Sequence, residues 1–322
     1  MANKPCISVV IVCMNRLDNL YPCLEGLGKH CSGILETLVV AYRFSPENLA
    51  KVRRDFPEVS FIPSDETRGF SENNNLALRQ VRGEYCFILN DDTLISEDVS
   101  GKLLEDFSVL PENAAIVSPR ILNADGSLQL CGRPEYPPYK YLLQQWHLYR
   151  EPIDNCSGRE PRYSVSGRGL YSTCNITGAA FLIRTDAFRK LGWFDERYFF
   201  TPEDIALSTL ARERGYGVYV DSGCTLVHKW KTTASRIAPA IRPAAVKGSL
   251  IFFGRRSGTS LFLLSMGVWC AESAKRAKAR LRLLIHPCPE NELKYKVFKN
   301  ISSSIFAKMT PKELFIKYME EL

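Results

Sequence analysis

The 322-residue sequence lacks paired cysteine spacings, internal repeats and low-complexity tracts. Its 11 cysteines are scattered from Cys6 to Cys288 without a CxxC pair. An odd number at such spacing argues against a disulfide framework or a zinc ribbon, and we expect reduced cytosolic thiols. With 45% hydrophobic and 24% charged residues, the composition excludes collagen, coiled coil and wholesale disorder and predicts a globular protein.

Long apolar runs are also absent. The seven-residue run Ile7–Cys13 is β-branched and is followed at once by Asn15 and Arg16, so it predicts a buried strand rather than a signal sequence. Leu261–Ala271 is about half of what a bilayer crossing needs. We therefore predict no transmembrane helix and a cytoplasmic location.

Acidic residues are scarce in one quarter of the chain. The net charge of the whole chain is +7. The segment from Lys229 to His286 contains twelve Lys or Arg residues and one acid, Glu272, so its net charge is +11 and that of the rest of the chain is −4. An argument from charge for an anionic partner therefore rests on this quarter of the chain. Charge alone permits a nucleic-acid surface, but no recognition motif supports one, and we predict no nucleic-acid partner.

The first half of the chain alternates strand-like and helix-like segments. This order predicts a parallel sheet with right-handed crossovers, whose ligands bind beyond the carboxyl ends of the strands. The predicted elements, in order, are Ile7–Cys13, Leu17–Leu27, Leu35–Ala41, a helix opened by Ser45-Pro46, Val59–Ile62, Ser71–Val81, Tyr85–Leu89, Glu97–Leu110 and Ala114–Ser118.

The second half is less regular. Asn123 to Gly126 predicts a hairpin turn, and Arg133 to Ser172 is a long irregular segment of the kind that is more often functional than filler. The predicted elements that follow are a strand at Ala179–Ile183, helices at Asp186–Leu191 and Asp204–Arg214, and strands at Val218–Val220 and Thr225–Val227.

Asn90-Asp91-Asp92 directly follows a predicted buried strand. Adjacent carboxylates repel each other unless something compensates them, and a divalent cation that bridges to a diphosphate would do so. The alternative is a helix-capping cluster, because acids favour the first turn of a helix. The triplet alone supports both interpretations equally.

Glu203-Asp204 opens a helix after the aromatic segment that begins at Trp193. A carboxylate here could act as a general base toward a bound hydroxyl group. The alternative is that the pair only complements the helix dipole.

Six motifs appear in order between about residues 6 and 230: Ser8 to Arg16, Arg68-Gly69-Phe70 with Asn74-Asn75, Leu89 to Thr93, Thr177-Gly178-Ala179-Ala180, Gly192 to Glu196 with Glu203-Asp204, and His228. Each motif is weak alone, but their order and spacing are specific. The sequence resembles the family 2 inverting glycosyltransferases of GT-A fold, closest in pattern to the rhamnosyltransferase-like branch that builds bacterial surface polysaccharide.

The resemblance implies an α/β fold of the nucleotide-diphospho-sugar transferase type, with a Rossmann-like mixed sheet. It implies that Asp92, and equally His228 after the last core strand, ligate a divalent cation, Mg²⁺ or Mn²⁺. A lone histidine is as often structural. Asn90 and Asp91 should lie near the nucleotide ribose and diphosphate.

The resemblance also implies that Asp204 is the catalytic base and that Glu203 orients the acceptor or the base. The base would deprotonate an acceptor hydroxyl, which attacks the anomeric carbon in one in-line step that inverts it. Further implied nucleotide contacts are Asn15, Arg16, Arg68, Gly69, Phe70 and Asn75. Implied acceptor contacts are Thr177, Gly178, Ala179 and Trp193, although Trp193 could equally be a half-buried core residue.

Three positions depart from the family pattern. Ala41-Tyr42 stands where an acid usually reads the base, which makes Tyr42 a candidate to stack on it instead. Thr67 replaces a frequent Asn. Ala206 replaces a second carboxylate, which is tolerable only if Asp204 is the base.

Residues 260–285 join an apolar block to a basic one. Such a segment could lie on an anionic membrane surface, or its apolar side could pack on the catalytic domain. We divide the chain into a catalytic domain, 1–235, and a basic helical extension, 236–322, which locates the enzyme peripherally at the inner membrane face and is separable from its chemistry.

The predicted function is sugar transfer from a nucleotide diphosphate-sugar, dTDP-rhamnose first and then a UDP-sugar, to a saccharide acceptor that is lipid-linked. The oligomeric state is not predicted. One alternative is an inactive relative that serves as a binding or assembly subunit, motivated by Ala41 and Ala206. The other is a sugar nucleotidyltransferase, which is disfavoured because no Gly-rich loop follows the first strand.

Overall fold

The computed structural model describes residues 6–130, 132–154, 156, 158–229, 237–256, 258 and 260–322. Its ten strands form one sheet. The strands are β1 Ile7–Cys13, β2 Ile34–Tyr42, β3 Val59–Ser64, β4 Tyr85–Asn90, β5 Thr93–Leu94, β6 Ala114–Leu122, β7 Tyr163–Val165, β8 Arg168–Ser172, β9 Ala180–Arg184 and β10 Gly217–His228.

Eleven helices surround this sheet within the described ranges. They are α1 Leu17–His30, α2 Pro46–Asp55, α3 Phe70–Leu78, α4 Val99–Asp106, α5 Pro138–Gln145, α6 Thr185–Lys190, α7 Glu203–Glu213, α8 Ala238–Gly254, α9 Leu261–Ile285, α10 Pro289–Ser304 and α11 Pro311–Glu320.

The sheet is mixed, with strand order β3-β2-β1-β4-β9-β6-β10-β8-β7 and β5 paired to β10. The predicted parallel arrangement is confirmed for β1 to β4. β9 runs antiparallel between β4 and β6, so its first residues lie at the edge where β1 and β4 end. This reversal brings the middle of the sequence to the carboxyl edge of the sheet.

Helices cover both faces of the sheet. On one face α1, α2 and α4 contribute Leu20, Val52 and Leu103 to the core. On the other face α3, α6 and α7 contribute, among others, Phe188 and Leu207. The buried faces of β1 and β4 explain their continuous apolar sequences.

Capping residues decide where two of the predicted helices begin. Ser45 Oγ accepts a hydrogen bond from Asn48 N at 3.1 Å, and Pro46 occupies the first turn, as predicted. The helix expected from Glu97 begins instead at Val99, because the Asp98 side chain accepts from Gly101 N at 2.9 Å.

The segment 133–172, expected to be irregular, contains α5, β7 and β8. The two strand pieces expected at Val218–Val220 and Thr225–Val227 form one strand, β10, whose register against β6 shifts between Asp221 and Thr225. The expected turn at Asn123 is present, since Asn123 N donates to Ser127 O at 2.7 Å.

Helices α8 to α11 confirm the predicted helical C-terminal part. They pack against the α/β portion through two apolar clusters, one around Tyr198 and Ile205 and one around Phe199. The boundary predicted between residues 235 and 236 lies outside the described residues. Within the ranges that the structure describes, no helix has the length and apolarity to span a bilayer.

Candidate active site

The Asn90-Asp91-Asp92 triplet ends β4 at the carboxyl edge of the sheet. The two-residue strand β5, which follows the triplet, pairs antiparallel with the end of β10 and sets Thr93 opposite His228. The backbone of Asp92 also accepts a hydrogen bond from Lys229 N at 2.9 Å. This pairing brings the end of β10 beside the triplet, although His228 is distant from it in sequence.

His228 and Asp92 form a close, largely buried pair. His228 Nε2 lies 3.0 Å from Asp92 Oδ1, and their side chains are only 7% and 11% exposed. Asn90 Nδ2 is 3.2 Å from the same ring nitrogen. The other ring nitrogen, Nδ1, lies 2.9 Å from Gln129 Oε1. If Nδ1 carries the proton, it donates to Gln129 and leaves the Nε2 lone pair directed toward Asp92.

The Asp92–His228 pair has the geometry of two neighbouring metal ligands. Two donor atoms each about 2.1 Å from an octahedral ion are separated by about 3.0 Å when adjacent, and the observed separation of the two atoms is 3.0 Å. Among the described residues no group of three or more His, Cys, Asp or Glu side chains could hold a metal. The donor set of one carboxylate and one imidazole is of the kind that binds a divalent cation.

Asp91 is half-buried next to the buried Asp92. Burial, reinforced by the charge of Asp92, raises the pKa of Asp91 to about 7, while a hydrogen bond from Cys13 and the nearby Arg16 act in the opposite direction. The predicted repulsion between the adjacent carboxylates is thus present.

The start of β9 lies against the triplet. Asn90 N donates to Ala179 O at 2.9 Å, and Thr177 Oγ1 donates to Leu130 O at 2.6 Å. The predicted acceptor segment 177–179 is therefore part of the same edge as the predicted metal ligands.

Asp204 lies in the first turn of α7, against this segment. Its Oδ2 accepts a hydrogen bond from Gly178 N at 3.2 Å, and its Oδ1 accepts from Ile205 N at 2.7 Å. A Cβ added at Gly178 would stand 3.4 Å from Asp204 Cβ, so the glycine permits the close approach. The carboxylate remains partly open, with 14% of the side chain exposed.

Glu203 differs from its neighbour. Its Oε2 is buried without a hydrogen-bond partner among the described residues. Burial, and secondarily the charge of Asp204, raises the pKa of Glu203 to about 8. The raised pKa favours the protonated form of Glu203, which makes Asp204 the better candidate for a base.

Arg133 and Gln129 are site residues that the sequence analysis missed. Arg133 Nη1 lies 3.8 Å from Asp204 Oδ2, and the same guanidinium forms a bidentate pair with Glu151 at 2.9 and 3.1 Å. Both residues lie at or just before the start of the irregular segment. No local motif marks them, because only the tertiary fold gives them their partners.

Three predicted nucleotide contacts lie near the ends of β1 and β2 with partners inside the protein. Asn15 Oδ1 accepts from Asn48 Nδ2 at 2.9 Å. Arg16 pairs with Asp18 at 2.7 Å on the surface. Tyr42 is only 7% exposed, and the Arg43 guanidinium covers its ring at 5.4 Å, which leaves little of that ring for a base.

Arg68, Gly69 and Phe70 lie at the start of α3. Arg68 donates to Ser64 Oγ at 3.1 Å and pairs with Glu66. A Cβ at Gly69 would stand 2.2 Å from Phe199 O, and Phe70 N donates to that oxygen at 3.0 Å. The close approach at Gly69 is thus to the chain just before α7.

Asn75 and Trp193 line a cavity whose lining does not include Asp204. Asn75 binds the backbone of Phe194 through both ends of its amide, at 2.9 and 3.2 Å. The Trp193 ring contacts Phe188 at 5.2 Å. Both line a cavity of about 980 Å³ to which Gly178 and Asp204 do not contribute. The structure groups these two residues with each other rather than with Asp204.

Comparison with protein families gives one match to this chain. Residues 8–192 match the model described as Glycosyl transferase family 2. The chain belongs to glycosyl transferase family 2. The matched part includes β1 to β9 and the Asn90-Asp91-Asp92 triplet, whereas Glu203, Asp204 and His228 lie beyond it.

Curated relatives are similar to this family 2 chain over about two thirds of its length. The chain is 39% identical over 226 residues to the N-acetylglucosaminyl-diphospho-decaprenol L-rhamnosyltransferase of Mycobacterium tuberculosis. This alignment covers 64% of the chain and 70% of the relative. It is 23% identical over 217 residues to the low-salt glycan biosynthesis hexosyltransferase Agl10 of Haloferax volcanii, covering 66% and 63%.

The O-antigen biosynthesis protein RfbC of Myxococcus xanthus is 24% identical over 74% of the chain, and the match covers 18% of that protein. The chain thus spans less than two thirds of the length of several of its curated relatives.

Two solved structures show the same fold. The mannosyltransferase PcManGT of Pyrobaculum calidifontis, in complex with GDP-Man and Mn²⁺, aligns with a TM-score of 0.55 at 14% identity over 99% of this chain and 87% of that one. GalNAc-T7 with UDP, GalNAc and Mn²⁺ aligns with a TM-score of 0.61 at 14% identity over 100% and 57%. The predicted GT-A fold of this family 2 chain is thereby confirmed.

Proposed function

We propose that this family 2 chain is an inverting glycosyltransferase that moves a sugar from a nucleotide diphosphate-sugar to an acceptor hydroxyl. One observation carries the proposal. The hydrogen bonds Gly178 N to Asp204 and Asn90 N to Ala179 O join the candidate base and the candidate diphosphate-binding triplet at one edge of the sheet.

Asp204 is the proposed base. It accepts the proton of the acceptor hydroxyl, whose oxygen bonds to the anomeric carbon while the bond to the diphosphate oxygen breaks on the opposite face. A single in-line step inverts that carbon. Glu203 orients the acceptor or the base, and Thr177, Gly178 and Ala179 line the acceptor side.

Asp92 and His228 are the proposed ligands of a divalent cation, Mg²⁺ or Mn²⁺. When bound, such an ion stabilises the negative charge that develops on the leaving diphosphate. Asn90 and Asp91 then face the ribose and diphosphate. The ligand geometry at Asp92 supports this assignment, as do the Mn²⁺ complexes of the two solved structures.

We propose dTDP-rhamnose as the first donor to test and UDP-sugars as the second. The nucleotide pocket would include Asn15, Arg16, Tyr42 and Arg68. The proposed acceptor is a lipid-linked saccharide used in O-antigen, cell-wall or other polysaccharide synthesis. The names of the mycobacterial and myxobacterial relatives support these choices.

The proposed location is the inner face of the cytoplasmic membrane, bound through residues 260–285 of the proposed extension 236–322. α9 buries one stripe, including Leu264 and Val268, against the protein. Large apolar side chains of the same helix remain exposed beside its cations, among them Phe262, Leu263 and Trp269. One side of α9 thus packs on the protein, and the exposed apolar and basic side chains on its other side support the proposed membrane contact.

The decisive experiment is Asp204→Asn. We expect transfer to fall by at least about 10² to 10⁴-fold, because the base is lost while the fold and nucleotide binding stay intact. Release of nucleoside diphosphate would measure transfer, and thermal stabilisation by nucleotide sugars would measure binding. Asp186→Asn, an exposed carboxylate on α6, is the matched control.

Substantial turnover by Asp204→Asn would exclude Asp204 as the base. A wild-type chain that hydrolyses no nucleotide sugar and transfers none to any acceptor would instead favour the inactive binding subunit. EDTA should abolish transfer, and Mn²⁺ or Mg²⁺ should restore it; indifference to the chelator would remove the metal role of Asp92 and His228.

A further inference from the structure

A small cationic cavity lies between α9 and α10, outside the candidate active site. Its volume is about 190 Å³, and its lining contains five basic side chains and no carboxylate. The lining residues that matter are Lys275, Lys278, Arg282, Lys294 and His147, with Ala279 and Phe298 as apolar members.

The cations of this cavity are incompletely neutralised. Lys275 pairs with Glu272 at 2.6 Å, and Lys294 pairs with Glu290 at 2.6 Å, each within its own helix. The side chains of Lys278 and Arg282, one turn apart on α9, form no ion pair or hydrogen bond with another described residue. Two unpaired cations that face one concavity leave a local positive charge that an anion would neutralise.

The cavity is small. Its volume of about 190 Å³ has room for a phosphate or diphosphate group. Lysine and arginine are the side chains that bind phosphate oxygens most often.

Exposed apolar side chains lie close in sequence to residues that line the cavity. His147 is flanked by Trp146 and by Leu148, which is 73% exposed. Leu284 and Ile285 follow Arg282 on α9 and are 73% and 60% exposed. Cations and exposed apolar side chains on one segment are typical of a segment that binds an anionic membrane surface.

We propose that this cavity binds a phosphate or diphosphate anion through Lys278 and Arg282, and that the anion belongs to a lipid head group. This site would add a specific contact to the proposed membrane location. It depends on that location only for the source of the phosphate group. It lies apart from Asp92, Asp204 and the rest of the candidate active site.

Arg282→Gln and Arg280→Gln provide a matched test, because each removes one cation from the same helix and only Arg282 lines the cavity. Binding to vesicles of phosphatidylglycerol in phosphatidylcholine is measured by flotation. We expect Arg282→Gln to weaken binding about tenfold and Arg280→Gln at most about threefold. Lys278→Gln should resemble Arg282→Gln and is the substitute if the latter does not fold.

A second arm titrates inorganic phosphate and pyrophosphate by calorimetry. If the wild type binds phosphate or pyrophosphate and Arg282→Gln weakens this binding, the site exists and its ligand is free phosphate. If Arg282→Gln weakens only vesicle binding, the phosphate belongs to a lipid. Equal losses in the two arginine variants, or no binding in either arm, would overturn the site.

Transfer to a soluble acceptor separates this inference from the proposed function. Arg282→Gln should keep wild-type transfer, because Arg282 is outside the catalytic edge. Absence of transfer in the wild type as well would contradict the proposed function and leave the vesicle comparison valid.

Discussion

Glu203 and Asp204 are adjacent in sequence but have different hydrogen-bond partners. One carboxyl oxygen of Glu203 is buried without a partner among the described residues, while Asp204 accepts a hydrogen bond from Gly178 N and its side chain is 14% exposed. The sequence identified the pair as a candidate for base catalysis. The structure shows that Asp204 is the member that contacts the predicted acceptor segment.

Glu203 should make stability depend on pH. Its folded-state pKa, about 8, lies above its ordinary value of 4.5. Its contribution to the free energy of unfolding is therefore fully present below about pH 4.5 and is lost as the pH rises through about 8. Glu203→Gln, compared with wild type by urea unfolding from pH 5 to 9, should gain relative stability on the order of a few kcal/mol over that range. A pH-independent difference would contradict the burial of the charge.

Gln129 should orient His228 for metal binding. Its Oε1 lies 2.9 Å from His228 Nδ1, and its amide nitrogen donates to His228 O. Gln129→Leu removes both contacts, and we expect Mn²⁺ affinity, measured by calorimetry or electron paramagnetic resonance, to fall about 10- to 100-fold. Gln129→Glu keeps an acceptor for the ring and should restore part of the loss.

The control for this experiment is Gln80→Leu, since Gln80 lies just after α3 and its side chain donates to Leu76 O of that helix, away from His228. Unchanged Mn²⁺ affinity in Gln129→Leu would show that Gln129 does not position the ligand.

Among the elements, β5 and β9 bring the residues of the candidate site together, although neither strand is prominent in the sequence. β5 has two residues and sets Thr93 opposite His228, and antiparallel β9 brings Ala179 to Asn90. The alternating pattern of the first half predicted the parallel strands correctly. Long-range antiparallel pairing leaves no comparable local signal, because the partner strand is remote in the chain.

A buried ion cluster joins α4, β8 and β10. Arg168 pairs with Asp106 at 2.9 Å and with Asp221 at 2.7 Å, and both carboxylates are fully buried. Arg168→Met would leave them uncompensated and should lower the free energy of unfolding by about 3 to 5 kcal/mol, measured by urea denaturation.

Arg54→Met tests an exposed pair with Asp55 and should change stability by less than about 1 kcal/mol. Equal effects in the two variants would show that the buried cluster contributes no more than a surface ion pair.

At the scale of the whole molecule, the C-terminal helices share cores with the α/β portion. Tyr198 and Ile205 pack with residues of α8, α9 and α10, and Phe199 packs with α8 and α11. These three residues flank the Glu203-Asp204 pair. The extension was expected to be separable from the chemistry, but its helices cover the segment that carries the candidate base.

Deletion of residues 238–322 should therefore prevent cooperative folding. The truncated chain would expose apolar side chains such as Tyr198, Phe199 and Ile205. We expect aggregation in size-exclusion chromatography and loss of the near-ultraviolet circular dichroism signal, whereas removal of Glu321 and Leu322 alone should leave both unchanged. A monomeric, cooperatively unfolding truncated chain would show that the extension is separable after all.

The sequence by itself determined the family, the strand–helix alternation and the three acidic positions Asp91, Asp92 and Asp204, because these depend on local composition and ordered motifs. The tertiary structure decided that His228 meets Asp92, that Asn75 and Trp193 line a cavity whose lining does not include Asp204, and that Gln129 and Arg133 complete the edge. Such contacts join residues that are far apart in the chain, and sheet pairing, not local sequence, brings them together.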